Sequence, residues 1–389
     1  MHGVYLTSIG SVSAVAASAR EAFAGYESGV AGIATHSVGD RRIPLGALSA
    51  AGEESLARLA RERPELARLD RSTQLAILAA RQALSGAEPG LGALAVILGS
   101  SRGATESFEH SHAQFSVSGR VAPLTSPTTT LGNLSSNVAR ELGIAGWVAE
   151  ISSACATSLQ ALILGVAWLR AGFGRACLVG GAEAPLTGFT VAQMAALGLV
   201  GGELETGAPY QPLARSPKNR LVLGEGACVF LLEALSTEQA RERGALAEII
   251  GLGSSLERGP SLTGISPDGE AMGRAMTHAL SSQRSAIGAV VVHAPGTKNG
   301  DRAELAALER VFEGWVPPLC SSKWQTGHTL GASGAFGIEL ALSLLSGLTP
   351  ATPPYDSELS APATPVESVL VNAAGFGGIA TSVLLKRAS

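Results

Sequence analysis

Short apolar runs alternate with longer helical patterns along most of the chain. Continuous apolar runs of this length are typical of strands that are buried on both faces of a sheet. They predict strands at 93–100, 147–153, 176–184, 226–235, 286–296, 317–323, 367–378 and 379–387. Helical patterns occur at 157–172, 301–312 and 331–347. This alternation predicts an α/β layered protein.

The second half of the chain repeats the order of the first. EISSAC followed by a helix matches PLCSSK followed by a helix, and ACLVGGAEA…GACVFLLEA matches SVLVNAAGF…IATSVLLKR. The stretch 187–222 is then a long insertion in the first copy, and 35–75 is surface helix and loop. We therefore predict two similar halves, 1–240 and 241–389, that form one compact unit. The glycine-bearing segments 223–228 and 251–259 are predicted to be turns.

Composition narrows the class of protein. The chain has 389 residues, 46% hydrophobic and 15% charged, which is enough to bury a large core. Its net charge of −4 gives no general attraction to nucleic acid or to an anionic membrane. The four cysteines are widely spaced, so neither a disulfide framework nor a zinc site is expected. With no signal-peptide pattern and no run of about 18 apolar residues, we expect a cytoplasmic protein.

Cys155 lies where a predicted strand meets a predicted helix. A helix N-terminus lowers the pKa of a thiol, and the N–H of Cys155 would point to where an oxyanion develops. The alternative is a small thiol buried at a strand end. Cys177 and Cys228 lie inside apolar strand patterns and are expected to be core residues, whereas the position of Cys320 before a loop leaves its role open.

Two further segments carry candidate chemistry. His293 ends a strand before the turn-forming APGTKNGD, a position from which it is well placed to face a site. In SSKWQTGHTLGASGA, Lys323 and His328 flank a turn whose small residues allow close backbone approach. The alternative there is a tightly packed helix start with a solvated lysine. NAAGFGG (372–378) has no phosphate-loop spacing and predicts a hairpin turn.

The order Cys, His, Lys-x4-His and Gly-Phe-Gly-Gly resembles the β-ketoacyl-acyl carrier protein synthases of the type I/II branch of the thiolase superfamily. The segments that carry the resemblance run from about residue 90 to the C-terminus: SSACATSLQAL, CLVGGAEAPL, VLGEGACVFLLE, HAPGTKNGDRAE, SKWQTGHTLGASGA and NAAGFGGIATSVLL. The resemblance implies a thiolase-like fold, in which two duplicated βαβ-type halves form α-β-α-β-α layers.

The resemblance also implies catalytic roles. Cys155 would accept an acyl group from a carrier-protein thioester. His293 and His328 would donate hydrogen bonds to the thioester carbonyl of a malonyl unit and stabilise the enolate that decarboxylation leaves. The resulting carbanion would attack the acyl group on Cys155.

Supporting roles follow from the same resemblance. Phe376 would supply the second N–H for the oxyanion and act as a gate, while Lys323 would give electrostatic support and Thr297 would contact the pantetheine arm. No metal and no bound cofactor is implied, because the substrates are carried on the phosphopantetheine of acyl carrier protein.

The chain departs from the family pattern at three places. HAPGT replaces HGTGT or HGTST, so Pro295 stands where a threonine hydroxyl is usual. Nine residues after His328 the family's glutamate is Gly337, with Glu339 two residues further on. The stretch PLARSPKNRL (212–221) replaces PFDxxRDGF. Fatty-acid elongation and specialised type II polyketide or polyene assembly both stay open, and these departures favour the second.

Other members of the superfamily are alternatives. A thiolase would carry a second cysteine near Phe376, and a ketosynthase III would use asparagine in place of His328. A catalytically silent chain-length-factor-like subunit would lack Cys155. Since none of these patterns is met, we expect an active ketosynthase.

Two kinds of partner are expected. Carrier proteins of this class are acidic, so basic residues should cluster at the pocket mouth; Arg102, Arg215, Lys218 and Arg220 are the candidates. The apolar strand before Cys155 would sit at an edge and pair across a two-fold axis, in a homodimer or with a cysteine-lacking homologue.

Overall fold

The computed structural model describes residues 2–39, 41–86, 94–200, 208–258, 265–281, 287–363 and 365–388. Its strands are β1 (Gly3–Ser13), β2 (Ala34–Val38), β3 (Arg41–Leu45), β4 (Leu94–Gly99), β5 (Val148–Ile151), β6 (Ala176–Glu183), β7 (Gly226–Leu235), β8 (Ala247–Leu256), β9 (Ala289–Val291), β10 (Leu319–Cys320), β11 (Ser368–Gly375) and β12 (Ile379–Arg387).

The helices alternate with these strands. They are α1 (Ala19–Ser28), α2 (Ala50–Glu62), α3 (Arg71–Ala83), α4 (Thr105–Ser118), α5 (Thr125–Thr129), α6 (Asn133–Glu141), α7 (Thr157–Arg170), α8 (Gly188–Ala196), α9 (Thr237–Glu242), α10 (Glu270–Leu280), α11 (Lys298–Val311), α12 (Lys323–Thr326) and α13 (Ser333–Leu345). None of the helices in the described ranges is long and apolar enough to cross a membrane.

The strand order is the same in both halves. The main sheet runs β5-β4-β6-β7-β1-β8-β12-β11-β9-β10, and β2 and β3 form a separate hairpin. Counted outward from β1 and from β8, each half has two antiparallel pairings followed by two parallel ones. The halves join where Tyr5 pairs with Glu248 and Leu6 with Ala247. The predicted duplication is therefore confirmed, while the boundary at residue 240, which falls within α9, stays a prediction.

The strands are apolar on both faces because helices cover both faces. In β6, Cys177 and Val179 face a central core that includes α7 and α13, while Leu178 faces an outer core with α3 and α6. The second half follows the same rule, since Val291 of β9 faces the central core and Val290 an outer core with α10 and α11. The result is the predicted α-β-α-β-α layering, and both Cys177 and Cys228 are core residues.

Some sequence predictions for the fold are wrong. The segment 251–259 is not a turn, because most of it belongs to β8. Its glycines serve close packing: a Cβ on Gly251 would lie 2.0 Å from the carbonyl oxygen of Ala279 in α10. The strand β1 was not predicted, and neither was the β2–β3 hairpin within 35–75. Residues 201–207 of the insertion at 187–222 lie outside the described residues.

Candidate active site

Cys155 stands on a tight turn between β5 and α7. The strand ends at Ile151, and Ala154 adopts a φ of +48°, a conformation that is costly for a residue with a Cβ. The hydroxyl of Thr157 stabilises the turn, since it accepts from the N–H of Ser153 at 2.7 Å and donates to the carbonyl of Ala154 at 2.6 Å. This geometry directs Cys155 out of the sheet edge at the N-terminal end of a helix.

The end of β11 packs directly on this turn. A Cβ on Gly375 would lie 2.8 Å from the backbone nitrogen of Cys155 and 2.8 Å from the Cβ of Ala154, so only glycine fits. Gly375 pairs with Ile379 in the predicted β11–β12 hairpin. The next residue, Phe376, is 39% exposed and lies at the tip of this hairpin beside Cys155.

The thiol of Cys155 is less acidic than its position suggests. Burial raises its pKa to about 12, and the charge of Glu183 adds to this effect. The ammonium of Lys323 and the residue's own backbone N–H act in the opposite direction but are weaker. The expectation of a lowered pKa is wrong, because loss of solvent outweighs the helix N-terminus. The thiol is therefore protonated at neutral pH.

The two histidines of the sequence pattern come together. The rings of His293 and His328 have centroids 5.6 Å apart and planes at 87°, and both side chains are buried. Burial, with the positive charge of Lys323, lowers the pKa of His328 to about 3 and that of His293 well below its usual value. Both imidazoles are neutral at pH 7, so each ring carries one N–H.

Hydrogen bonds determine which nitrogen of His328 carries the proton. The backbone N–H of Leu330 donates to its Nδ1 at 3.0 Å, and the hydroxyl of Ser333 lies 3.2 Å from the same atom. A nitrogen that accepts from an N–H has no proton of its own, so Nε2 carries it. The backbone of His328 donates to Val222 at 2.7 Å and accepts from Gly224 at 3.0 Å. His328 is thus held as a fixed Nε2–H donor.

A buried carboxylate holds the loop that carries His293. The two oxygens of Glu304 accept from the backbone N–H groups of His293 at 2.9 Å and Ala294 at 2.7 Å, and Asn372 donates to one of them at 3.1 Å. Ala294 has a φ of +24°, so this loop needs such support. The sequence analysis assigned Glu304 no role, although it lies eleven residues after His293 in the quoted HAPGTKNGDRAE.

Lys323 is buried beneath the same loop. Its Nζ donates to the carbonyl of Val292 at 3.5 Å, and among the described residues no carboxylate forms a salt bridge with it. Burial lowers the pKa of Lys323 to about 8, although the negative charges of Glu304 and Asp301 act in the opposite direction. Lys323 is therefore a cation at pH 7 that loses its proton in mild alkali.

Glu339, two residues after the position of the family's glutamate, does not take the place of that glutamate. A Cβ on Gly337 would point at Val371, 2.9 Å from its Cγ1, in the central core. Glu339 is completely buried and accepts hydrogen bonds from Ser11 and Tyr26 instead. The position nine residues after His328 thus carries no carboxyl group.

The loop after His293 is held by a second buried carboxyl group. Asp301 accepts from the N–H of Gly296 at 2.9 Å, and burial raises its pKa to about 7. Thr297 caps α11, and its hydroxyl hydrogen stays available to a ligand. In place of a threonine, Pro295 presents its carbonyl to the hydroxyl of Tyr210 at 3.0 Å.

All four candidate basic residues interact with other residues of the protein. The guanidinium of Arg102 binds Gln193, and its Nε is buried without a hydrogen-bond partner among the described residues. Arg215 lies 3.2 Å from Glu358 and 3.6 Å from Asp356, so its charge is compensated locally. Lys218 and Arg220 lie at the loop after His293, where the N–H of Arg220 donates to Gly296.

A thiol on a strand–helix turn against a glycine hairpin, and a pair of neutral, buried imidazoles, in a duplicated five-layer body, together define a thiolase-like condensing protein. The comparisons narrow this class. Residues 31–238 match the beta-ketoacyl synthase N-terminal domain and residues 246–356 the C-terminal domain. The chain belongs to the β-ketoacyl synthase family, whose members are acyltransferases.

The relatives come from two kinds of pathway. The chain is 31% identical to the tetracenomycin polyketide synthase ketoacyl synthase alpha subunit of Streptomyces glaucescens, with 82% of this chain and 81% of that one covered. It is 32% identical to 3-oxoacyl-(acyl-carrier-protein) synthase 2 of Staphylococcus aureus, with 73% of each covered. The solved ishigamide ketosynthase/chain length factor superposes with a TM-score of 0.87 over both entire chains at 24% identity, a likeness of fold.

The lowered pKa of Lys323 predicts a stability change that depends on pH. Below about pH 8 the folded protein carries Lys323 as a buried cation, which lowers its stability. This loss of stability disappears as the pH rises from 8 towards 10.5, because the lysine loses its proton at a lower pH in the folded protein than in the unfolded one. Lys323→Met should therefore stabilise the protein at pH 7 by up to about 3 kcal/mol and by little at pH 10.5. Urea unfolding at both pH values measures this difference. The exposed Lys386→Met is the matched control, and an equal gain at both pH values would contradict a buried cation.

Proposed function

We propose that this protein joins an acyl group carried on Cys155 to the two-carbon unit of malonyl-acyl carrier protein, with loss of CO2, and so forms β-ketoacyl-acyl carrier protein. The observation that carries this proposal is the pair of neutral imidazoles, 5.6 Å apart, of which His328 has its Nε2–H fixed as a donor. Two donors of this kind suit an enolate oxygen, which develops negative charge in a buried site.

In the first step the sulfur of Cys155 attacks the thioester carbonyl of the acyl carrier protein. The tetrahedral oxyanion would accept hydrogen bonds from the backbone N–H groups of Cys155 and Phe376, and the close packing of Gly375 on the Cys155 nitrogen supports this arrangement. The bond to the pantetheine sulfur breaks, and the proton that leaves Cys155 ends on the departing pantetheine thiol. Because burial raises the pKa of Cys155, the thiol has to give up its proton as it attacks the substrate.

In the second step the malonyl carboxylate leaves as CO2. The electron pair of the broken C–C bond forms an enolate, which accepts hydrogen bonds from His293 and His328. Neutral donors suit this purpose, because their low pKa values keep both rings uncharged across the physiological range. Lys323 gives electrostatic support beneath the His293 loop. Thr297, at the same loop, is placed to contact the pantetheine arm.

In the third step the enolate carbon attacks the acyl thioester on Cys155. The new C–C bond forms, the C–S bond to Cys155 breaks, and the cysteine thiolate takes up one proton. The overall reaction therefore consumes one proton and releases CO2. All chemical groups needed come from this chain and its two carrier-bound substrates, so no further cofactor enters the proposal.

The pathway is proposed only as a class. The relatives named above serve polyketide synthesis and 3-oxoacyl-acyl-carrier-protein synthesis, and the changes at Pro295, at Gly337 and within 212–221 favour a specialised type II polyketide or polyene pathway acting in the cytoplasm. The second candidate is a catalytically silent partner subunit, which the likeness to a ketosynthase/chain length factor keeps in view. Cys155 and both histidines are retained, and this favours the active enzyme.

The acidic carrier protein would dock beside the loop after His293. We call Lys218, Arg220, Lys298 and Arg302 the mouth patch. The N–H of Lys298 donates to the side chain of Asn219 at 3.1 Å, which fastens the 218–220 segment to the start of α11. Arg302 lies one helical turn beyond Lys298, and both are exposed. Because Thr297 precedes the patch, a carrier docked there could deliver its pantetheine arm past this residue.

A dimer would cover the exposed edge of the first half. β5 is an edge strand of the sheet, and among the described residues nothing pairs with its outer side. Only Thr105 of α4 is buried. The large apolar side chains near α4 and α5 that are more than half exposed are Phe108, Phe115, Val117, Val121, Leu124 and Leu131. A second copy, or a homologue, that pairs with β5 would cover this surface.

The two half-reactions should respond differently to substitution. Cys155→Ala should abolish acyl transfer and condensation, and malonyl decarboxylation should persist because the histidines remain. His293→Ala or His328→Ala should each reduce malonyl-carrier decarboxylation by about 10²–10³-fold and affect acylation of Cys155 much less. Mass spectrometry of the acylated peptide and CO2 release measure the two steps. Acylation of Cys320 instead of Cys155, or normal decarboxylation by both histidine variants, would overturn these roles.

Docking through the mouth patch should depend on salt. Raising ionic strength should weaken turnover of carrier-bound substrate more than turnover of a small pantetheine thioester, because the small thioester lacks the acidic surface. Lys298→Glu with Arg302→Glu should raise KM for the carrier by roughly tenfold or more and leave the small thioester unaffected. Arg215→Glu is the control outside the patch. Equal salt sensitivity of both substrates would argue against the patch.

The dimer can be tested on the exposed apolar surface. Light scattering should give twice the mass of the chain, and the interface should bury more than roughly 2,000 Å². Phe115→Asp combined with Leu131→Asp should produce monomers or aggregates, whereas the equally exposed Trp315→Asp should not. Co-expression with a ketosynthase homologue distinguishes self-pairing from a heterodimer. A fully active, stable monomer would rule out both.

A further inference from the structure

Lys323 and His328 are carried by one short segment. Ser322 precedes α12, which holds Lys323 at its first position, and Gly327 then leads directly to His328. The contacts of His328 with Val222, Gly224 and Ser333 hold one end of this segment. A four-residue helix has almost no stability of its own, so the end with Lys323 needs a separate support.

That support comes from the first helix of the chain. Tyr26, at the end of α1, is 1% exposed. Its hydroxyl donates to the carboxylate of Glu339 on α13, which fastens the end of α1 to that helix. The single turn of α12 lies next to this end, and within it the carbonyl of Ser322 accepts from the N–H groups of Gln325 at 2.9 Å and Thr326 at 3.0 Å.

The end of α1 binds α12 through Gln325. The side-chain amide of Gln325 donates to the carbonyls of Gly25 and Val30, both at 3.0 Å, and the carbonyl of Gln325 accepts from the N–H of Gly32 at 2.8 Å. Gln325 is buried, so these contacts are protected from water. They bring the backbone beside Tyr26 onto α12.

Glu339 connects α1 with α13. It lies on α13, whose first residue, Ser333, contacts Nδ1 of His328. α13 thus contacts His328 at its start and, two turns further along, holds Tyr26 and with it the end of α1 that binds Gln325. Ser11 of the central strand β1 donates to the other oxygen of Glu339, so the carboxylate is fixed from both sides.

We propose that Tyr26, oriented by Glu339, is a positioning residue for Lys323 and His328. This inference rests on the condensing activity proposed above and deepens it. Tyr26 touches no reacting atom; its hydrogen bond to Glu339 fixes the end of α1, which binds Gln325 of α12, so that the His328 ring and the Lys323 ammonium keep their places. Glu339, which departs from the family spacing, acquires a role by this contact.

Tyr26→Phe tests the proposal, because it removes one hydroxyl and keeps the ring in the core. We expect kcat for malonyl decarboxylation to fall roughly fivefold to tenfold, the size of one hydrogen bond expressed in the transition state, with KM unchanged. Acylation of Cys155, which does not use α12, should keep its wild-type rate. Gln325→Met, which removes the amide contacts with Gly25 and Val30 at similar side-chain size, should reproduce this pattern, and the double variant should lose little more than either single one.

A purely structural effect would look different. Ser343→Ala, also buried on α13, removes a hydroxyl that binds only the helix carbonyl of Leu340 and serves as the matched control. It should lower the thermal midpoint without separating the two half-reactions. If Tyr26→Phe decarboxylates at the wild-type rate, or slows both half-reactions equally, the positioning role is refuted.

A second measurement does not require activity. Trp324 lies in α12 and is buried, so its fluorescence reports the order of this helix. Acrylamide quenching, taken as the difference from a Trp324→Phe background, should increase in Tyr26→Phe and stay unchanged in Ser343→Ala. Unchanged quenching would refute the support of α12. If the wild-type protein catalyses neither half-reaction, the proposed function is refuted. The quenching measurement then still shows whether Tyr26 supports α12.

Discussion

The hydrogen bond from the backbone N–H of Leu330 to Nδ1 of His328 is the contact on which the chemistry depends. It leaves the proton on Nε2 and so turns a buried histidine into a donor of known direction. The bond requires a φ of +42° at Leu330, which the neighbouring turn imposes. That turn packs against the loop after β4, where a Cβ on Gly331 would lie 2.6 Å from the N–H of Ser101. The protonation of one ring therefore reflects packing between distant parts of the chain.

Buried carboxyl groups also hold other parts of the site in place, by accepting hydrogen bonds from loops. Glu304 gathers two N–H groups of the His293 loop, Asp301 gathers those of the following turn, and Glu183 accepts from the hydroxyl of Ser100 at 2.7 Å and the N–H of Arg102 at 3.2 Å. Burial raises the pKa of each of them. Such groups are expensive as stabilising elements, and their hydrogen bonds offset only part of that cost. What these carboxyl groups provide is the accurate positioning of loops that have an unusual backbone conformation.

Much of the fold was predictable where burial is uniform. The strands β4, β6, β7, β11 and β12 are covered on both faces, and their continuous apolar runs revealed them. β1 and β8 were missed because their sequences mix serine and glycine with apolar residues. At Gly251 and Gly253 the backbone of α10 fills the space that side chains would occupy, so glycine there signals close packing although the local pattern indicated a turn.

The sequence by itself determined which side chains are the candidates for the chemistry and on which half each lies, since Cys155, His293, Lys323, His328 and Phe376 were named from motifs and their order. Only the tertiary structure decided their state. Cys155 is a weak acid and both histidines are neutral because desolvation and charges from distant segments act on them together. The roles of Glu304, Tyr26 and Glu339 also depend on contacts between residues far apart in the chain, such as those 313 positions apart. The spacing of residues along the sequence does not reveal such contacts, because they form only when the layers pack together.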